Sequence, residues 1–248
     1  MKNHPNRVEI IGRGNIQLQT ADDMALDQII ARNNLAIESI WEEKQKNKQG
    51  ALYNDKLLHV IDIKNQGDDI LVKGHFVEYK SYLAQRENSK LDFTIKPLGV
   101  SGLTRLRENQ RDYILFAKRA ALVTEYPGCL ELVPSGSIDA TCVSSEGEVD
   151  YIKKLLSEFT EETGFSDSFV EKIAGFAVVL DVDHQVYDVC CDILISGQRD
   201  SLLKTFVSSE YSDPQFVAVE DLSQFLSLNE GMLVPTSIAL LEVAGYVS

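Results

Sequence analysis

One amphipathic helix interrupts a series of strand-like runs in the middle of this chain, and that order limits the architectures open to it. Residues 98–106, 112–119 and 129–133 are apolar runs of strand length, followed by the loop PSGSIDATCVSSEGE. A helix is predicted next, over about 148–163. FVEKIAGFAVVL and QVYDVCCDILIS read as two more strands, then QFVAV, then helical patterns in EDLSQFLSL and VPTSIALLEVAGY. Mixed strands with helices on either side predict an α+β or α/β sandwich around a mixed sheet.

The first part of the chain has a different rhythm. Met24, Leu26, Ile29, Ile30, Leu35, Ile37 and Ile40 keep helical spacing, so residues 21–48 are predicted as one helix with a polar end before Gly50. Trp41 belongs to its packing side. LLHVIDIK and ILVKGHFVEY flank NQGDD as a hairpin, and YKSYLAQRENS reads as a short helix. Residues 1–95 are therefore expected to form a smaller N-terminal α+β region, and residues 96–248 a second domain.

A net charge of −14 over 248 residues argues against wholesale nucleic-acid binding, which needs a basic footprint. It leaves room for a small phosphorylated ligand bound through a divalent cation, which inverts the local potential. No apolar run approaches the ~18 residues of a membrane span, so no membrane partner is expected. MKNHPNRVEI lacks the apolar segment of a secretory signal. Cys129, Cys142, Cys190 and Cys191 show no metal-ligand spacing, and the adjacent pair should point to opposite faces of a strand. Reduced thiols in a cytoplasmic protein are the expectation. The sequence is silent on oligomeric state.

The predicted middle helix carries LLSEFTEETGF, with Glu158, Glu161 and Glu162 inside five positions. Like charges one turn apart cost roughly 0.2–0.5 kcal/mol each on an exposed helix, so a cation nearby would explain them. Ser145-x-x-Glu148 has the capping-box pattern and predicts a helix start near 146. Val149, Ile152, Leu155, Leu156 and Phe159 then share one arc. From its centre Glu162 lies ~70° away, Glu158 ~110° and Glu161 almost opposite. Gly164 supplies the stop. Two half-sheltered carboxylates one turn apart suit a hard divalent cation such as Mg²⁺. A solvated acidic face would use the same residues. The upstream GCLELVPSGSID favours the cation, because small residues let a backbone carbonyl near Ser135–Gly136 approach it.

Taken together these segments resemble the Nudix hydrolases. The tail of their signature, R-E-U-x-E-E-x-G-U, is matched at Glu158, Phe159, Glu161, Glu162, Gly164 and Phe165, and its opening P-G-G appears as Pro134-Ser135-Gly136. ILFAKR (114–119) resembles the strand that precedes the box and EYSDPQFVAVEDL (210–222) the later strand and helix start, so the Nudix-like part spans about residues 97–248. The box arginine is Ser157 here, and the box is lengthened around ATCVSSE. YNDKLLHV, GHFVEYKSYLAQR and KPLGVSGL are similar to N-terminal signatures of the UDP-glucose diphosphatase branch.

The resemblance implies a Nudix α/β/α sandwich and Mg²⁺-dependent hydrolysis, with Mn²⁺ as a substitute, of UDP-glucose or UDP-galactose to UMP and a sugar 1-phosphate. ADP-ribose or another nucleoside diphosphate derivative, and ligand binding without turnover, are the alternatives. Glu158, Glu161 and Glu162 are the implied catalytic carboxylates and, with the carbonyl near Ser135, the implied metal ligands. A helix glutamate or Glu210 is the implied base. Tyr79, Lys80, Asn54 and Arg119 are the candidate substrate contacts, with Tyr82 beside them. Arg111 and Lys118 read as surface cations. Asp181, Asp183 and His184 lie in LDVDHQ, between two strand patterns, and read as a turn.

Overall fold

The computed structural model describes residues 8–47, 52–121, 123 and 125–247. The chain begins with β1 (Val8–Arg13), β2 (Asn15–Thr20), α1 (Met24–Arg32) and α2 (Asn34–Asn47), then the hairpin β3 (Lys56–Gln66) and β4 (Asp69–Glu78), then α3 (Tyr79–Glu87). It continues through β5 (Leu98–Glu108), β6 (Arg111–Arg119), β7 (Leu130–Leu132) and β8 (Ser135–Ser137) to α4 (Tyr151–Thr163). β9 (Val170–Asp181), β10 (Val186–Ile195), α5 (Arg199–Thr205), β11 (Tyr211–Ala218), α6 (Leu222–Leu228) and α7 (Pro235–Val243) complete it.

The main sheet runs β1-β9-β10-β5-β6-β11, with β7 paired to β6 and β8 to β5. β10 and β5 are parallel and the remaining pairs antiparallel, so the sheet is mixed. Leu155 and Phe159 of α4 pack against one face, and Leu222, Leu240 and Leu241 of α6 and α7 against the other. The chain thus folds as the expected α+β sandwich. Cys190 and Cys191 fall in the cores on opposite faces, and all four cysteines are free. β2, β4 and β3 form a second, three-stranded sheet whose Ile16, Leu18, Leu58 and Val72 join the core under α4. Leu26, Ile37, Tyr82 and Phe93 build a smaller core among the N-terminal helices. Among the described residues, no helix is long and apolar enough to cross a membrane.

Three local expectations need correction. The helix predicted over 21–48 is two helices, broken at Asn33. The Asn33 side chain donates to the Ile29 carbonyl at 2.9 Å and its amide closes α1, while its carbonyl accepts from Ile37 at the start of α2. The polar end of the prediction closes α2 as far as Asn47, and residues 48–51 lie outside the described residues. The middle helix starts at Tyr151 rather than near 146, capped by Asp150, which accepts from the Lys153 amide at 2.9 Å. Ser145 and Glu148 form no capping box because the backbone there is already engaged: the Thr20 amide donates to Gly147, and the Val149 amide to Leu18. α5 and the short strands β1, β2 and β8 had no clear pattern of their own.

Candidate active site

Strand β7 delivers the chain through Pro134 into β8, and β8 lies beneath α4. The Ser135 amide donates to Glu162 Oε2 at 2.9 Å. One residue on, a methyl added at Gly136 would lie 2.5 Å from the carboxyl carbon and Oε1 of Glu158. Neighbouring acids on one helix face therefore rest on neighbouring residues of the small-residue bend. Only glycine leaves room for the second. Gly164, at φ 70°, caps α4 in the left-handed conformation, so the helix stops at Thr163.

The three acids have different environments, in the order the helical arc predicts. Glu162 is buried, Glu158 is half-buried and Glu161 is exposed. Burial pushes the Glu162 carboxyl up to about 9; the Ser135 amide opposes this, while Glu158, Glu131 and Glu210 add to it. Burial also raises Glu158, against the ion pair with Lys154, and Glu161 and Glu210 push the same way. Glu161 accepts from Ser157 Oγ at 2.7 Å, on the outer side of the helix. Lys154 Nζ lies 2.5 Å from Glu158 Oε1 and 2.8 Å from Asp139 Oδ2.

Behind the bend stands a buried acid that sequence reasoning passed over. Glu131 accepts from the Arg119 guanidinium, from the Tyr211 hydroxyl at 2.5 Å and from Ser135 Oγ at 3.3 Å. Its signal was a lone charge inside the apolar strand GCLEL. Arg119 also donates to the Glu125 carbonyl at 2.9 Å, so its guanidinium is committed to the wall of the site. Glu210 is exposed, yet near enough to raise both helix carboxyls.

A cleft of about 410 Å³ opens in front of Glu158. Tyr79, Tyr82 and Arg86 of α3 line one wall; Asp139, Lys154 and Glu158 line the other. The Arg86 guanidinium sits 5.7 Å from the centre of the Tyr82 ring and pairs with Glu125. Tyr79 is half-buried, edge-on to the buried Trp41 at 6.3 Å. Lys80 gives its ammonium to Glu38 at 2.6 Å and Glu78 at 3.0 Å, and its amide to Asn54 Oδ1 at 3.0 Å. Asn54 and Lys80 thereby close the start of α3. Arg111 pairs with Glu220 at 3.1 Å and Lys118 is exposed. Asp181 accepts from the amides of Asp183 and His184, which makes LDVDHQ the expected turn.

Among the described residues, no group of three or more His, Cys, Asp or Glu side chains forms a ready-made metal centre. The donors that do converge, Glu158 and Glu162, are hard oxygens matched to Mg²⁺. A carboxyl raised first by burial and further by its acidic neighbours is the partner a divalent ion would relieve, so the residues fit such an ion.

No protein-family model and no curated protein matches the chain. Among solved structures it is similar to the Nudix domain of Shewanella oneidensis NrtR complexed with ADP ribose. The TM-score is 0.42 and the identity 21%, covering 60% of this chain and 86% of that one. It is also similar to a Nudix hydrolase from Alicyclobacillus acidocaldarius, with TM-score 0.43 and 15% identity over 62% and 93% of the two chains. A Caenorhabditis elegans Ap4A hydrolase binary complex gives TM-score 0.38 and 11% identity over 59% and 93%.

Proposed function

We propose that the protein is a Nudix-type hydrolase of nucleoside diphosphate derivatives, acting on UDP-glucose or UDP-galactose to give UMP and a sugar 1-phosphate. The observation that carries this reading is the seating of Glu158 on Gly136 and of Glu162 on the Ser135 amide, beside a cleft with tyrosines on its far wall. Glu158 and Glu162 would hold Mg²⁺, with Glu161 at the edge and the backbone at Ser135 close by. Such an ion would neutralise charge on the diphosphate and make an attacking water more acidic. Tyr79 and Tyr82 would receive the base or ribose, since a ring face accepts a pyrimidine. Glu210, exposed and close enough to raise both helix carboxyls, would be the base that takes a proton from water. Arg119, held by Glu131, would act by keeping the bend in place.

Incubation with Mg²⁺ and a panel of UDP-sugars, ADP-ribose and other nucleoside diphosphate derivatives tests this directly. UMP from the UDP-sugars is the expected product, and AMP from ADP-ribose alone would move the substrate class. The ion pair between Glu158 and Lys154 favours a second reading, a nucleotide-binding protein without turnover. Absence of any product, with retained nucleotide binding, would select it.

A further inference from the structure

We propose that Lys154 is a positioning residue for Glu158, holding its carboxylate over Gly136 so that it faces Glu162. This inference rests on the hydrolytic reading of the site. Lys154 and Glu158 are four residues apart on α4, a spacing that usually makes a loose surface pair. Here the Lys154, Glu158 and Asp139 side chains are only 15%, 14% and 16% exposed, and the ammonium touches both carboxylates. Asp139 is itself fixed, because its Oδ1 accepts from the Thr141 amide at 2.8 Å and from the Thr141 hydroxyl. The link therefore runs from the chain after β8, through Asp139 and Lys154, to the oxygen of Glu158 that lies against Gly136.

Electrostatics explains why the link is needed. Glu158 sits within the fields of Glu161, Glu162 and Glu210, all of one sign. Without a counter-charge the favourable move for its carboxylate is outward, toward water. Ser157 is neutral and supplies no counter-charge, and its hydroxyl goes to Glu161 on the outer side of the helix. Lys154 also lines the cleft, so the residue that steadies Glu158 is next to the substrate without needing to react with it.

The test compares Lys154→Met, Lys154→Arg and Asp139→Asn with the unaltered protein, using whichever substrate that protein turns over. Lys154→Met is expected to lose roughly 100-fold in kcat, the scale of a misplaced catalytic group, with KM held within about threefold. Lys154→Arg should recover most of that loss. Asp139→Asn, which keeps the shape and weakens the tether, should lose less than Lys154→Met. A crystal structure of metal-free Lys154→Met supplies a readout independent of turnover. The expected result is a Glu158 carboxylate moved off Gly136 while α4 and the bend superpose. A carboxylate still seated on Gly136, or a kcat equal to the unaltered protein's, overturns the inference. If Lys154→Met fails to fold, Asp139→Asn and Lys154→Arg decide: a full kcat in Asp139→Asn or no turnover in Lys154→Arg overturns it. An unaltered protein inert on the whole panel sinks the hydrolytic reading instead, which separates the two failures.

Discussion

Gly136 and Glu162 show how single residues set the character of this site. A methyl at Gly136 collides with the end of the Glu158 side chain rather than with backbone, so Gly136→Ala should fold. The expected cost is about 1–3 kcal/mol, with a loss of turnover of at least about tenfold as Glu158 shifts. Denaturant unfolding and kcat on the same preparation check both halves. Glu162→Gln should separate the two further. With its carboxyl raised to about 9, Glu162 is neutral at pH 7 in the metal-free protein, and an amide resembles it in shape. The substituted side chain keeps an oxygen to accept from the Ser135 backbone. The variant should therefore match the parent's midpoint in denaturant without metal, yet lose turnover by about 100-fold or more. Turnover that survives the change would remove Glu162 from the ion-binding set. Glu158, Glu162 and Gly164 were legible in the sequence because one helix relates them, and helix geometry is local. Glu131 and Tyr211 were not, because their hydrogen bond joins positions 80 residues apart.

At the scale of the element, α4 carries a large part of the pH dependence of the metal-free protein through Glu162, with a further part from Asp188 on β10, whose carboxyl burial raises to about 7. The unfolded chain gives up the Glu162 proton near 4.5, while the folded protein keeps it to about 9. Between those values the folded state binds the extra proton, so rising pH draws the balance toward unfolding. The contribution to stability is complete below about 4.5 and lost as pH climbs through 9. Thermal melts of metal-free protein should fall in Tm from pH 6 to pH 9, with a shallower fall in Glu162→Gln. A Tm that rises across that range would contradict the assignment. Added Mg²⁺ should raise Tm more at pH 8 than at pH 6, because it competes with that proton. Most of the strands and α4 itself could be read from apolar periodicity. The start of α4 could not: Gly147 and Val149 pair with β2, and a strand some 130 residues earlier leaves no mark on a capping pattern.

Across the whole molecule, the packing crosses the boundary expected near residue 95. Ile16, Leu18, Leu58 and Val72 share a core with Leu155 and Phe159, β1 pairs with β9, and the Leu58 amide donates to Ile138. The cleft depends on the same contact, since Tyr79 and Arg86 come from one side and Glu158 from the other. Hydrophobic patterning could announce each set of strands, but not that the two sets bury their apolar faces against one another. A fragment of residues 96–248 would leave Leu98, Val100 and Phe159 partly uncovered, and apolar area costs about 25 cal/mol per Å² when left in water. It should give no cooperative melt, whereas the full chain should unfold in one transition. Trp41, the single tryptophan, reports on the N-terminal helices, and far-ultraviolet circular dichroism reports on the whole chain. Coincident denaturation curves from the two probes are the expected result. A tryptophan transition well ahead of the other would mean that the N-terminal helices open alone, taking the tyrosine wall of the cleft with them.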